Sequence, residues 1–420
     1  MLAKQFCLAS VLKMSQLHLI RKINEQEMLE DMFDAYFDAR KNKRNTINAL
    51  IFEKNFESNI FTLFEEIIER RYEPKRSICF VVDRPVKREI FAANFRDRVV
   101  HHFIYNYIYP IFEKILINDT YSCRRGKGVH HGIKRVDHFI RSCSNNYQKD
   151  CYILKMDVKE YFMSINRDIL FSIIKDNLLK RQEKINFDLT LILYLLEKTI
   201  YNNPTKNCIV KGKRNSWRGL PKTKSLFGAK TNCGLPIGNL TSQLFGNIYL
   251  NGLDHFIKKD MAIRYYGRYV DDFVVIHNDK EYLKSIIPKI KNFLEEKLEL
   301  TLHPKKIYLQ DYKKGVMFLG AVIKPFRIYI ANRTKGNFYI AIKKNKLFPQ
   351  KGLLEEEMEL LTSSMNSYLG IMTHWNTYRL RCKMLKYFLA KWGDYFCENK
   401  RKTKVIFKKK LFYLNKNKNS

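Results

Sequence analysis

The chain is 420 residues long, 45% hydrophobic and 14% aromatic, enough apolar material for two or three folded domains, and wholesale disorder is excluded. Its 77 Lys and Arg outnumber 42 Asp and Glu, for a formal charge of +35; solubility does not need that excess and self-repulsion opposes it, so a polyanionic partner is implied. Nine scattered cysteines form no C-x-x-C pair, which speaks against a zinc ribbon or a disulfide framework, and no apolar run is long enough to cross a bilayer.

Lys4 and Lys13 interrupt the partly apolar first twenty residues, against a signal peptide. No basic amphipathic helix suits a membrane surface, so nucleic acid is the expected partner, the membrane is not, and the cytoplasm is the expected location. Residues 1 to about 75 read as helical, since Ile60-Phe-Thr-Leu-Phe-Glu-Glu-Ile-Ile-Glu69 places its apolar side chains at helical spacing. The basic run at 39–44 suits either a solvated face or phosphate contact. Pro74 closes this segment, and residues 77–82 read as a strand.

Residues 84–102 carry five Lys or Arg among β-type residues and then enter a helix. Basic side chains on a hairpin suit the grip of a triphosphate or a nucleic-acid backbone. The loop Cys123-Arg-Arg-Gly-Lys-Gly-Val-His-His-Gly132 lacks P-loop spacing and fits a phosphate contact or a plain basic turn. Tyr152-Ile-Leu-Lys-Met-Asp157 reads as a buried strand ending in a carboxylate, with a helix from about Arg167. Residues 203–232, rich in Lys, Asn, Gly and Thr, read as a mobile basic loop within a domain. Cys233-Gly-Leu-Pro-Ile-Gly-Asn-Leu-Thr-Ser-Gln243 is expected to lead into a helix over 244–259, its Pro-x-Gly turn bringing backbone close to a ligand.

Tyr265-Tyr-Gly-Arg-Tyr-Val-Asp-Asp-Phe-Val-Val-Ile276 reads as strand, tight turn, strand, with Asp271 and Asp272 at the tip. Adjacent carboxylates there are either a solvated turn or ligands of a hard cation such as Mg²⁺. A helix over 281–298 follows, and residues 302–309 and 316–320 are expected to form a further strand pair. Beyond Arg333 the chain reads as mainly helical, ending in a basic tail over 400–420 whose extremity is expected to fray. No internal repeat is present.

A strand-end Asp157, a Leu-Pro-x-Gly turn and an Asp-Asp hairpin, in that order in a basic chain, resemble the polymerase palm of reverse transcriptases, over residues from about 36 to 388. Tyr269-Val-Asp-Asp272 is similar to the family's Tyr-x-Asp-Asp box, Asp157 to its first metal-binding aspartate, and Phe318-Leu319-Gly320 to its primer-grip turn. The resemblance implies an α+β right-hand fold with fingers, an antiparallel-sheet palm and a helical thumb. The expected divisions are 1–75 for an N-terminal extension and the start of the fingers, 76–155 fingers, 156–325 palm, 326–399 thumb and 400–420 tail. It implies an RNA-directed DNA polymerase using two Mg²⁺, for which Mn²⁺ can substitute. Asp157, Asp271, Asp272 and the Val158 carbonyl would ligate the ions. Phe162 falls at the steric-gate position that excludes a ribonucleotide 2′-hydroxyl, or is a plain core aromatic. Arg88, with Lys87 or Arg84 assisting, matches the triphosphate contact, and Lys306, or its neighbour Lys305, the pyrophosphate proton donor. Ile237, Gly238 and Tyr269 would line the nucleotide site; Ser242 and Gln243, with the 318–320 turn, would hold primer and template.

Ile237 in Leu-Pro-x-Gly, the ending Ser242-Gln243, and the stretches at 95–102, 367–370 and 378–381 resemble the reverse transcriptases of diversity-generating retroelements. That implies a template RNA copied into adenine-mutagenised cDNA from a primer and dNTPs, and a basic oligomeric accessory protein. The alternative is an antiphage defence enzyme that makes cDNA as an effector. A silent nucleic-acid-binding module would not need clustered carboxylates, and a metal-dependent nuclease would explain neither Phe162 nor the Pro-x-Gly helix.

Overall fold

The computed structural model describes residues 25–41, 43–83, 86–344 and 355–409. The extension before residue 25, Arg84 and the tail beyond 409 lie outside them. The expected helical start holds from Glu25 to Ile68, and the chain is irregular from there to Ser77. Helix α1 (Glu25–Arg40) buries Met28, Met32, Ala35, Tyr36 and Ala39 along one stripe. Two short helices follow, α2 (Ile47–Glu53) and α3 (Phe56–Ile68), the second burying Ile60, Leu63 and Ile67. The Tyr36 ring stacks on Phe56 at 5.1 Å and joins α1 to α3.

Strands β1 (Ile78–Val82) and β2 (Arg88–Ala92) form an antiparallel hairpin with Cys79 opposite Phe91. Helix α4 (Phe95–Ile115) starts where the Asn94 side chain accepts from the Arg96 N–H, and packs on α1. Helix α5 (Val129–Cys143) follows the glycine-punctuated loop. Strand β3 (Tyr152–Asp157) has Ile153, Leu154 and Met156 fully buried, as its apolar run requires. A single turn, α6 (Tyr161–Ser164), and helices α7 (Arg167–Leu179) and α8 (Leu189–Ile200) come next, the last two capped by Asn166 and Asp188.

Residues 203–232 are not the free loop their composition suggests. Short 3₁₀ turns alternate with a two-residue strand, β4 (Ile209–Val210), which pairs in parallel with β1. The buried Glu89 carboxylate of β2 fastens them, accepting from Trp217 Nε1 at 2.7 Å, Ser225 Oγ at 2.8 Å and the Leu226 N–H at 2.8 Å. Helix α9 (Leu240–Tyr249) begins four residues before the expected start at 244. Its first turn holds Thr241 and Ser242, small polar side chains that are buried and that mask the helical pattern. Helix α10 (Asn251–His255) and a π-type turn carry the chain to Asp260.

Strands β5 (Tyr265–Tyr269) and β6 (Asp272–His277) form the acidic hairpin, and helix α11 (Lys280–Leu298) follows. The expected pairing of 302–309 with 316–320 does not occur. Strand β7 (Tyr308–Asp311) pairs with β3, Tyr152 opposite Asp311, to complete a sheet of order β5-β6-β3-β7. Strand β8 (Val316–Phe318) pairs instead with β9 (Ala321–Lys324), which pairs with β10 (Arg327–Ile330). A 3₁₀ turn and Gly315 at φ +79° redirect the chain between β7 and β8. Helices α12 (Asn332–Lys344), α13 (Glu355–Met372) and α14 (Tyr378–Trp392) then pack around Phe338, Met365, Leu369, Met384 and Phe388. The region read as helix and tail also holds a hairpin, β11 (Phe396–Glu398) with β12 (Val405–Phe407).

The chain forms two compact units. One comprises residues up to Arg125, Met156–Phe273 and Ser285–Ile307; the other comprises Gly126–Lys155, Val274–Lys284 and the chain from Tyr308. Among the described residues no helix is long and apolar enough to cross a membrane, and the described cysteines form no disulfide.

Asp97, in the first turn of α4, is 2% exposed. Burial pushes its carboxyl up from 3.8 to about 6, against the pull of the Tyr72 hydroxyl at 3.0 Å, the Lys75 N–H at 2.9 Å and the Arg96 guanidinium. A carboxyl raised on folding contributes stability that is complete below its unfolded pKa and is lost as pH rises through the folded one. Urea unfolding of the wild type is therefore expected to weaken between about pH 4 and 6 relative to Asp97→Asn, by up to about 3 kcal/mol. Parallel pH profiles of the two proteins would contradict this.

Candidate active site

The hairpin that carries the acids is built on a buried ion pair. Arg268, in the middle of β5, and Asp254, on α10, are both 0% exposed. Arg268 Nε donates to Asp254 Oδ1 at 2.7 Å and Nη2 to Oδ2 at 2.5 Å. The Tyr266 hydroxyl and Thr120 Oγ1 satisfy the same carboxylate at 2.6 and 3.2 Å. The guanidinium's other bonds go to backbone, Nη2 to the Asn247 carbonyl at 3.2 Å and Nη1 to the Val270 carbonyl at 2.9 Å. Val270 sits at φ +58°, a left-handed conformation that a β-branched residue avoids. The bond to Arg268 holds that strained residue in place, and with it the direction of Asp271. Gly267 allows the fit, because a Cβ there would collide with the Tyr121 ring.

The turn brings Asp271 to β3. The Val158 N–H donates to the Asp271 carbonyl at 3.2 Å, and the His303 N–H to the Asp157 carbonyl at 2.8 Å. Lys306 Nζ lies 3.0 Å from both carboxylate oxygens of Asp157. Burial and the negative charges of Asp157 and Asp272 push the half-buried Asp271 carboxyl up to about 6, with Lys306 pulling the other way. Asp157, Val158, Asp271, Asp272 and Lys306 are thus one cluster. Among the described residues no three His, Cys, Asp or Glu side chains already stand around a metal position; the cation at Asp157 is Lys306.

Beside this cluster, Phe162 lies on the one-turn helix α6. Its ring packs with Ile237 against the core of Cys79, Phe91, Met163 and Leu226. Gly246 of α9 faces it, and a Cβ there would come within 3.3 Å of the ring. The segment 235–239 is fastened along β2: the Phe91 N–H donates to the Ile237 carbonyl at 2.8 Å, and the Ala93 N–H to Asn239 Oδ1 at 3.2 Å. Gly238, at φ +124°, passes so close that a Cβ would lie 2.8 Å from Ile90 Cγ2. Arg88 opens β2 as an exposed side chain, with its charge felt at the half-buried Tyr269 phenol. Lys87 is engaged elsewhere, donating to the Arg218 carbonyl at 2.8 Å and pairing with Asp83 at 3.2 Å. Ser242 is buried in the first turn of α9, and Gln243 is exposed next to it.

Phe318, Leu319 and Gly320 belong to the other compact unit. There Phe318 pairs with Ala321 across a two-residue turn, Leu319 and Gly320 at φ +50° and +82°, the signature of a tight hairpin. Four further residues shape the site without having been given a role by any motif read from the sequence: Arg268 and Glu89, which lie inside the 265–276 and 84–102 stretches, and Asp254 and Gly246. An arginine at the centre of an apolar strand was the signal for one of them, since such a charge needs a buried partner.

An α+β fold with an antiparallel sheet presenting an Asp-Asp turn beside a strand-end Asp defines a template-directed polymerase. The chain belongs to the reverse transcriptase (RNA-dependent DNA polymerase) family, whose model matches residues 84–323. It is similar to protein YkfC of Escherichia coli K12, 22% identical over 308 residues, or 65% of this chain and 73% of that protein. A putative COX1/OXI3 intron 2 protein of Saccharomyces cerevisiae is also 22% identical, over 269 residues, 49% of this chain and 28% of that one. Among solved structures, apo telomerase from Candida tropicalis, truncated of its C-terminal domain, matches 61% of this chain and 56% of its own, at 16% identity and TM-score 0.43. Telomerase from Candida albicans with a fragment of telomeric RNA matches 81% of this chain and 60% of its own, at 12% identity and TM-score 0.44.

Removing one partner of a buried ion pair strands the other charge. Asp254→Ala is expected to lower unfolding stability by about 3–5 kcal/mol. Arg268→Met with Asp254→Leu should lose much less than the two single changes combined. Urea titrations of the wild type, Asp254→Ala, the two single changes Arg268→Met and Asp254→Leu and their combination check this, and additive losses would show that the pair is not coupled.

Proposed function

We propose that this chain copies a retroelement template RNA into cDNA, with errors concentrated opposite template adenines, for targeted sequence diversification. The observation that carries the polymerase chemistry is the cluster at the β5–β6 turn, where Asp271 meets the end of β3 and Lys306 spans Asp157 at 3.0 Å. The donor set suits Mg²⁺, with Mn²⁺ as a substitute: hard carboxylate oxygens of Asp157, Asp271 and Asp272, and the Val158 carbonyl. Burial, and after it the negative charges of Asp157 and Asp272, raise the Asp271 carboxyl, and a divalent cation would relieve that repulsion. Two such ions, when bound, would activate the primer 3′-hydroxyl and neutralise the leaving pyrophosphate.

The remaining roles fall to the protein's own groups. Arg88 binds the incoming triphosphate, and Lys87, already committed to the Arg218 carbonyl, assists at most. Lys306 donates the proton that the pyrophosphate takes up. Phe162 closes the space for a 2′-hydroxyl, its ring backed by Gly246. Ile237 shares the apolar cluster of Phe162, which supports placing both at the nascent pair together with Gly238 and Tyr269. An aliphatic side chain offers no hydrogen bond there, so a mispair loses less relative to the correct one. Ser242, Gln243 and the 318–320 turn are assigned to primer and template. A basic oligomeric accessory protein completes the proposed system.

Primer extension on an RNA template with Mg²⁺ and dNTPs, followed by cDNA sequencing, tests this reading. Asp271→Ala is expected to cut synthesis at least about 100-fold. Ile237→Gln is expected to lower misincorporation opposite adenine while leaving other positions unchanged, and Phe162→Ala to admit ribonucleotides. Faithful cDNA from the wild type, with the accessory protein present, would overturn the mutagenic role and favour the defence enzyme. No synthesis under any condition would overturn the polymerase assignment.

A further inference from the structure

The second compact unit contains a cavity of about 560 Å³ that none of the roles above uses, a size suited to a small ligand. Three stretches build it: α5 and the loop after it, with Asp137, Arg141 and Tyr147; the β9–β10 turn, with Phe326 and Arg327; and the α13–α14 loop, with Trp375. Two features mark its wall. Phe326 is 79% exposed, an apolar ring held out in water. Phe326 and Tyr147 also sit at φ +63° and +70°, left-handed conformations unfavourable for large side chains.

The β9–β10 turn and the loop after α5 bring two rings together. Tyr147 and Phe326 lie with centroids 4.6 Å apart, and Tyr147 is stacked in turn on Tyr312 at 5.9 Å. The Tyr147 carbonyl accepts from the Tyr312 hydroxyl at 2.9 Å, and the Tyr147 N–H donates to Ser144 Oγ at 2.9 Å. On the α13–α14 side, His374 stacks on His130 of α5 at 3.6 Å, with the Trp375 ring 5.6 Å from the same His130. Rigid aromatic faces accompanied by guanidinium groups suit a planar, anionic ligand, and stacking of this kind accepts any base.

We propose that this cavity binds one unpaired nucleotide of RNA, its base stacking on the Phe326 and Tyr147 rings and its phosphate drawn to Arg141 and Arg327. The proposal rests on the reverse-transcriptase reading for the presence of RNA. A duplex offers no free base face and is not a ligand of this site. Holding an unpaired nucleotide would give the enzyme a grip on single-stranded RNA that is independent of its polymerising carboxylates.

The test uses the full-length protein and a short unstructured RNA carrying 5-iodouridine. Photocrosslinking followed by peptide mass spectrometry is expected to mark Phe326, Tyr147 or Trp375. Phe326 and Arg327 are both exposed, so their replacement leaves the core intact. Phe326→Ala is expected to weaken binding of the same RNA by about 5- to 100-fold with an unchanged salt dependence, as loss of stacking requires. Arg327→Ala is expected instead to reduce the slope of log affinity against log salt by about 0.7, the share of one phosphate contact on a single strand. Crosslinks confined to other regions, or wild-type affinity in Phe326→Ala, would overturn the site. Primer extension by the same wild-type preparation separates the two readings: synthesis with normal binding by Phe326→Ala sinks the cavity alone, and crosslinking at Phe326 without synthesis sinks the polymerase alone.

Discussion

The buried pair of Arg268 and Asp254 is the constraint on which the acidic turn depends. Two opposite charges withdrawn from water are costly unless every hydrogen-bonding position is used. Here the carboxylate is met by Arg268, Tyr266 and Thr120, while the guanidinium reaches two further backbone carbonyls. The arrangement therefore does more than neutralise itself. It converts a buried charge into a ruler for backbone, because the Val270 carbonyl has to remain where the guanidinium can reach it. The side chains just beyond Val270 inherit that precision, and two mutually repelling carboxylates would not keep it unaided.

Helix α9 distributes the same constraint through the first unit. It has no charged residue, and nearly all of it is buried. The Asn247 carbonyl accepts from Arg268, and Asn247 Nδ2 donates to the Ser122 carbonyl at 2.7 Å. The Gly246 carbonyl accepts from the Tyr161 hydroxyl, next to Phe162. The Tyr249 hydroxyl donates to the Leu298 carbonyl at 2.7 Å, at the end of α11. Each neighbour is held by backbone carbonyls or small polar groups, so the helix fixes positions without presenting charge to the cluster. The Glu89 carboxylate does comparable work at β2, where it fastens a basic segment that would otherwise repel its surroundings.

The legible parts of this fold were those written in local pattern. The apolar run of β3 announced a buried strand, and the Tyr269–Asp272 stretch announced a turn, because side-chain period and turn chemistry are properties of neighbours in sequence. Pairing is not such a property. Residues 302–309 and 316–320 both prefer extended backbone, but nothing local says that one joins β3 and the other β9. The start of α9 was hidden by Thr241 and Ser242, whose polarity resembles a loop although both are buried. The 203–232 segment looked free because its composition is that of a loop, while the residue that orders it, Glu89, lies more than a hundred positions earlier. Asp254 likewise carries no mark in its own surroundings; only the arginine that needs it hints at a partner.

Gly246 gives the sugar gate proposed for Phe162 an unusual location. The ring is faced by Gly246, one turn along the helix that carries Ser242 and Gln243. A single added carbon at 246 would stand 3.3 Å from the ring, close enough that the ring would have to give way slightly. If Phe162 has the role proposed for it, the choice of sugar would be open to change through the bulk of a position that is itself no part of the gate.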